Sequence, residues 1–298
     1  MQNEVKSRPR PIRYSLRGFL FVTLGFSACL GMYLRSARLQ HVTVLEIQRA
    51  GGSVHYDFEI DDALRFNPGH RSCIPTWLLS ARGTDVFHSI VFVQMSDHVE
   101  RGTLVKPQRV TDEWLRSLDR CRKVRVLVLD GSQLTDGAFA QIGKLRDLEL
   151  LYVSNAFAVT DAGVFSLKKL RRLRNLNIDD SQIGDHSVAT IADLPDLTSL
   201  SLHGSNITDE GLRHLATMKR LESLSIGGGP ATFTARGLAP LATLQGLNSL
   251  DLQSASVSRD GVSELCRLKG LARIHLEHAE IPDIDRLHAA LPDCRIYD

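Results

Sequence analysis

LTSLSLHGSNITDEGLRHLATM, residues 197–218, contains one complete structural unit. Leu197, Leu200 and Leu202 stand at the spacing L-x-x-L-x-L, and the alternation through 200–202 is that of a strand with one buried side. Ile207-Thr208-Asp209 then supplies a turn and a side-chain acceptor for the free amides of a helix start. After it the period lengthens, with Leu212, Leu215 and Met218 at helical steps. The unit reads as strand, tight turn and short helix.

The same pattern runs outward in both directions. Its apolar triplets are Val124/Leu127/Leu129, Leu148/Leu151/Val153, Leu173/Leu176/Ile178, Leu197/Leu200/Leu202, Leu221/Leu224/Ile226, Leu247/Leu250/Leu252 and Leu271/Ile274/Leu276. Successive starts lie 24, 25, 24, 24, 26 and 24 residues apart. A weaker copy, Phe87/Ile90/Phe92, precedes them and is followed by a longer loop to Val110. VTD at 110–112, LTD at 134–136, VTD at 159–161 and ITD at 207–209 occupy one slot. No single unit of this size can bury its apolar face, but stacked neighbours share one core.

These residues resemble the leucine-rich-repeat family, in the form L-x-x-L-x-L-x-x-S-x-I-T-D-x-G-L-x-x-L, which is similar to the cysteine-containing repeats of F-box-type proteins. The resemblance covers about 86–292 and implies an α/β solenoid, with parallel strands on its concave face and short helices on its convex face. It departs from the family where an asparagine ladder is usual: Ser132, Ala156, Ser181, Ser205, Gly229, Ala255 and Ala279 stand there, so small residues are expected to seal the turn. Residues 281–292 slip the helical spacing and are expected to form a C-terminal cap. With no F-box-like segment before the repeats, a ubiquitin-ligase adaptor is not implied.

The N-terminus is built differently. Gly18 to Leu34 runs 17 residues without a charge, bracketed by Arg17 and Arg35. As a helix it would reach roughly 26 Å, enough for a hydrocarbon layer of ~30 Å with slight thinning. A cleaved signal peptide is the rival reading, but Phe26-Ser27-Ala28-Cys29 is a poor cleavage match and the segment stays apolar beyond it. Five basic residues precede the segment and Arg35, Arg38 and Arg49 follow it. That bias predicts a cytoplasmic N-terminus and an exoplasmic repeat domain, periplasmic or at the cell surface. Of the formal net charge of +2, residues 1–38 contribute +6 (seven basic residues against Glu4) and the remainder −4. A mildly acidic body argues against a nucleic-acid partner. The expected divisions are a basic tail (1–17), a transmembrane helix (18–34), a juxtamembrane stalk helix (35–50) ended by Gly51-Gly52, an N-terminal cap (51–85) and the solenoid (86–298). Ser53 to Ile60 alternates and reads as a half-buried strand of that cap. The whole resembles bacterial membrane-anchored leucine-rich-repeat proteins.

No catalytic or cofactor motif is recognisable: GxSxG, HExxH, GxxxxGK[ST] and the EF-hand loop are absent, and no cofactor or metal is expected. Gly227-Gly228-Gly229-Pro230 lacks the following Lys-Ser/Thr of a phosphate loop and sits in a lengthened repeat, so it reads as a widened turn. Five scattered cysteines form no CxxC pair, and Cys121 and Cys266, six repeats apart, exceed the ~7 Å reach of a disulfide. Function is therefore expected on the concave face, where repeats of this family bind protein or peptide ligands. Strand alternation sets out two rows there, Val128, Tyr152, Asn177, Ser201, Ser225, Asp251, His275 and Asp130, Ser154, Asp179, His203, Gly227, Gln253, Glu277. The candidate partner-binding residues are Tyr152, Asn177, Asp179, His203, Asp251, Gln253, His275 and Glu277. His203 with Asp179, and His275 with Glu277, also suggest acid–base or metal pairs, but two ligands without a third close no site. The arginines and lysines of the outer side, Arg171, Arg172, Arg174, Lys219 and Arg220, read as solvated charge. A non-catalytic interaction protein is the leading reading; a self-associating envelope protein is the alternative, and an enzyme without a recognisable motif comes last.

Overall fold

The computed structural model describes Ser27, Met32, Arg35, 37–60, 89–95, 98–100, 103–105, 110–121 and 123–298. The basic tail, nearly all of the apolar segment 18–34, most of the expected cap after residue 60, and Phe87 of the weak first repeat lie outside the described residues. Among the described residues no helix is long and apolar enough to cross a membrane.

Ten strands form one sheet in chain order: β1 (Ser53–Tyr56), β2 (Ile90–Met95), β3 (Val126–Asp130), β4 (Leu150–Ser154), β5 (Asn175–Ile178), β6 (Ser199–Ser201), β7 (Ser223–Ser225), β8 (Ser249–Asp251), β9 (Arg273–His275) and β10 (Arg295–Tyr297). β1 runs antiparallel to β2; every later pair is parallel. The register aligns Leu127, Leu151, Leu176, Leu200, Leu224, Leu250 and Ile274 in one column, each at most 2% exposed. The other two leucine columns are buried with it in one continuous core. Each such side chain contributes about 1.5–3 kcal/mol on burial. A helical segment returns the chain on the far side in every unit, for example Asp136–Ile142, Asp185–Ala192, Asp209–Leu215 and Arg259–Leu265.

The Thr-Asp slot does more than start helices. Thr208 Oγ1 accepts from the Glu210 amide as an N-cap, and donates to Asp185 Oδ2 of the preceding repeat (2.6 Å). The Thr208 amide donates to the same carboxylate (2.9 Å). Thr135 on Asp112, Thr160 on Asp136 and Thr234 on Asp209 repeat the arrangement. The glycine of T-D-x-G follows from it, because the neighbour's carboxylate occupies the space of a side chain: a Cβ at Gly163 would meet Asp136 Oδ1 at 2.5 Å. Where the sequence holds Ser187 instead, its hydroxyl donates to Asp161. The ladder stops at Ala235, and Ser258 turns to its own Asp260, whose carboxyl that hydrogen bond holds below its ordinary range.

A second periodic slot lies after the strands. Asn155, Asp180, Gly204, Gly228, Ser254 and His278 all take positive φ, between 53° and 74°. The small residues next to it seal the turn in the middle of the stack: Ala156, Ser181, Ser205 and Ala255 are buried, and the Ser181 and Ser205 hydroxyls share a hydrogen bond of 2.8 Å. Gly227 lies against the backbone of Gln253, and after it Thr232–Phe233 pairs in parallel with Ser256–Val257. That places the glycine run in a widened turn.

Both ends depart from the expected plan. Residues 37–49 are helical and end at Gly51 (φ 80°), but this helix is not a free stalk. Val44 and Ile47 are 3% and 0% exposed and belong to the same core as Val93 and Met95 of β2. β1 is shorter than the Ser53–Ile60 alternation implies. The Tyr56 amide donates to Glu59 Oε2 (2.8 Å) and the Glu59 amide to Tyr56 O (2.9 Å), which turns the chain away from the sheet. At the C-terminus, Ile284–Ala290 is helical with Leu287 buried, and β10 continues the ladder beyond the last expected strand.

Candidate functional site on the open sheet face

Strand pairing confirms the first open-face row and lengthens it: Gln94, Val128, Tyr152, Asn177, Ser201, Ser225, Asp251, His275 and Tyr297 lie side by side. A further row, not anticipated as a row, runs beside it: Phe92, Val126, Leu150, Asn175, Ser199, Ser223, Ser249, Arg273 and Arg295. Together the rows grade the strip from apolar near β2–β4, through serine in the middle, to two exposed arginines at β9–β10. The signal for the extra row is the second alternate position of each strand, on the same side as the first.

Asp179, from the adjoining row, ties candidates of both rows together. Its Oδ1 accepts from Ser201 Oγ (2.7 Å) and from the His203 amide (3.2 Å); its Oδ2 accepts from Asn177 Nδ2 (2.7 Å). Three donors from two repeats thus fix one carboxylate. Tyr152, 38% exposed, stands beside Asn177 in the neighbouring strand. Partial burial, and then the Asp179 and Asp180 carboxylates, push its phenol above the ordinary range, since a phenolate there would be poorly hydrated and repelled. The phenol therefore stays a neutral donor at physiological pH.

The other candidates divide differently. The Asp251 carboxylate accepts from the Gln253 amide (2.9 Å) and so caps its own turn. Gln253 Nε2 donates to Glu277 Oε2 (3.1 Å), and His275 stacks on Tyr297 with centroids 4.4 Å apart and planes 8° from parallel. The His275–Glu277 pair is thus replaced by two separate contacts. His203 reaches Asp179 through its backbone; its ring lies over Gly228, and Nε2 is buried with no hydrogen-bond partner. Neither histidine forms an acid–base dyad, and among the described residues no three His, Cys, Asp or Glu gather as a metal site. Among the described residues Cys121, Cys266 and Cys294 form no disulfide.

The outer charges are partnered rather than merely solvated. Arg171 Nη1 donates to Asp193 O (3.4 Å) and Lys219 Nζ to Thr243 Oγ1 (3.1 Å), in each case at a helix end one repeat further on. Arg172 pairs with Asp147 (2.9 Å) and Arg220 with Asp196 (2.7 Å). Arg174 lies 4.0 Å from Glu149, which also holds Arg125 at 2.7 Å. These residues link neighbouring repeats, and each such exposed pair is worth about 0–1 kcal/mol.

No curated protein matches the chain. Among solved structures it is similar to an internalin (inlF) from Listeria monocytogenes, at 22% identity over 64% of this chain and 71% of that one, with a TM-score of 0.35. It is also similar to internalin C2 from the same organism, at 19% identity over 66% of this chain and 88% of that one, with a TM-score of 0.45. Residues 194–216, which overlap the unit 197–218, match the family model described as Leucine Rich repeat.

Proposed function

We propose that this chain is a non-catalytic, membrane-anchored leucine-rich-repeat protein whose open sheet face binds a protein or peptide ligand. The observation that carries the reading is the Tyr152–Asp179 cluster, an exposed aromatic beside a carboxylate fixed by three donors. A rigid aromatic supplies contact area at low entropic cost, and a fixed carboxylate supplies direction. The sheet strip, on the order of 38 Å long for the eight spacings of about 4.8 Å between β2 and β10, suits an extended segment. Its grading asks for a ligand with an apolar anchor toward β4 and acidic character toward Arg273 and Arg295. Asn177, His203, Asp251, Gln253, His275 and Glu277 would line the path between.

Anchoring rests on the uncharged run 18–34, and its orientation, N-terminus cytoplasmic and repeats exoplasmic, on the basic excess before it. Photo-crosslinking from the strip in intact cells, followed by Tyr152→Ala and Asp179→Asn, tests the binding reading. Loss of the crosslinked product with an unchanged melting curve is expected. Capture that survives both changes but falls with Lys219→Glu and Arg220→Glu would move the site to the outer side. Protease added to sealed spheroplasts should remove the repeats; full protection of 86–298 would reverse the orientation.

A further inference from the structure

The helix over 37–49 has two faces with different neighbours. Ala37, Val44 and Ile47 are buried, the last two within the solenoid core. Arg38, Leu39, His41, Val42, Gln48 and Arg49 are exposed, with Met32 and Arg35 also exposed before them. Leu39 is 38% exposed, Val42 40% and Met32 66%. Met32, Arg35, Leu39 and Val42 fall at i, i+3, i+7 and i+10, a single stripe. A helix whose opposite side is already packed ordinarily shows water a polar stripe. Beside the polar His41 and Gln48, this one shows it three apolar side chains flanked by arginines, and among the described residues Arg35, Arg38 and Arg49 make no ion pair.

We propose that this stripe seats on the headgroup layer of an anionic phospholipid bilayer, so that the helix is a rigid bracket between membrane and solenoid. The proposal rests on reading 18–34 as the membrane segment. At ~1.5 Å per residue, Arg35 to Val42 follow within about 12 Å of the end of that segment. The polar layer of a bilayer begins there. Leucine and valine then enter the acyl boundary while the arginine stems lie along it and their guanidinium groups meet phosphate. Ile47, at 0% exposure in the core, ties the same helix to β2 and leaves no free hinge between the bracket and the repeats. The solenoid is thereby held in one orientation at the membrane, its strand stack growing away from the bracket.

The test uses the full chain in vesicles of phosphatidylcholine with phosphatidylglycerol, with photoreactive benzoylphenylalanine at position 39 or 42. Position 165, exposed on the helical side of the repeats, is the control. Lipid adducts at 39 and 42 but not at 165 are expected. Arg35→Ala with Arg38→Ala should lower the adduct yield roughly tenfold in anionic vesicles, and little in pure phosphatidylcholine. Protein adducts, or none, in a chain that still resists alkaline carbonate extraction would overturn the bracket and leave the anchor standing. Release of the chain by carbonate would overturn the anchor itself.

Discussion

Asp209 and Asp179 are both half-buried carboxylates that accept hydrogen bonds from the next repeat, yet they belong to different levels of organisation. Asp209 stands at a helix start and accepts from the Thr234 amide and hydroxyl, an arrangement that Asp112, Asp136 and Asp185 reproduce one repeat at a time. Asp179 lies on the open sheet face and accepts from Ser201, His203 and Asn177, an arrangement no other described repeat reproduces. A device that recurs from unit to unit answers to stacking, which neighbouring units share. A device present once answers to something particular to that place in the strip, and that difference locates the candidate site better than residue type does.

The comparison sits on a core that should dominate every measurement. Leu200→Ala removes a side chain 1% exposed from the central column and is expected to cost about 2–5 kcal/mol through lost burial and a cavity. A denaturant midpoint shift below about 1 kcal/mol would mean that this column does not face the core. Next comes the ladder. Asp209→Ala leaves the Thr234 amide and hydroxyl without their charged acceptor and should cost about 2 kcal/mol. If Asp209 resembles the other ladder members, Asp185→Ala must cost nearly the same; a threefold discrepancy between them would break the claim of a periodic device.

Smaller effects distinguish the strip. Ser201 and Ser225 are neighbours in one row, but only Ser201 donates to a carboxylate. Ser201→Ala should therefore cost about 1 kcal/mol and Ser225→Ala less than about 0.5 kcal/mol. Equal costs would remove the special status given to Asp179.

The parts legible in the sequence were those that repeat. Three leucine columns and the Thr-Asp slot recur at a near-constant step, so each copy corroborates the others. The partner of each Asp was hidden, because its contact lies one repeat away and only the register supplies it. Ser187 illustrates this: it breaks T-D-x-G in sequence, and only its bond to Asp161 explains why the break is tolerated. The ends were hardest, since a cap is used once. Leu291, Cys294 and Ile296 do carry the L-x-x-L-x-L spacing, but only twenty residues after Leu271, which puts β10 out of step with the other copies. Val44 and Ile47 were likewise hidden in a helix that could as well have continued a membrane span.

The finest test of the strip is a titration. Burial, then Asp179 and Asp180, raise the Tyr152 pKa above its unfolded value near 10. A raised folded pKa favours the folded state while the phenol is protonated, so that contribution is intact below about pH 10 and lost as pH climbs through the folded value. Ultraviolet difference titration should show a late-ionising tyrosine component that is lost in Tyr152→Phe. In Asp179→Asn that tyrosine should ionise earlier but still later than an exposed one, because burial, the larger cause, remains. The asparagine retains an acceptor for Ser201, so the fold is preserved while the charge is removed. An unmoved titration in Asp179→Asn would mean that the carboxylate does not act on Tyr152, and the two residues would have to be treated as separate contacts rather than one recognition element.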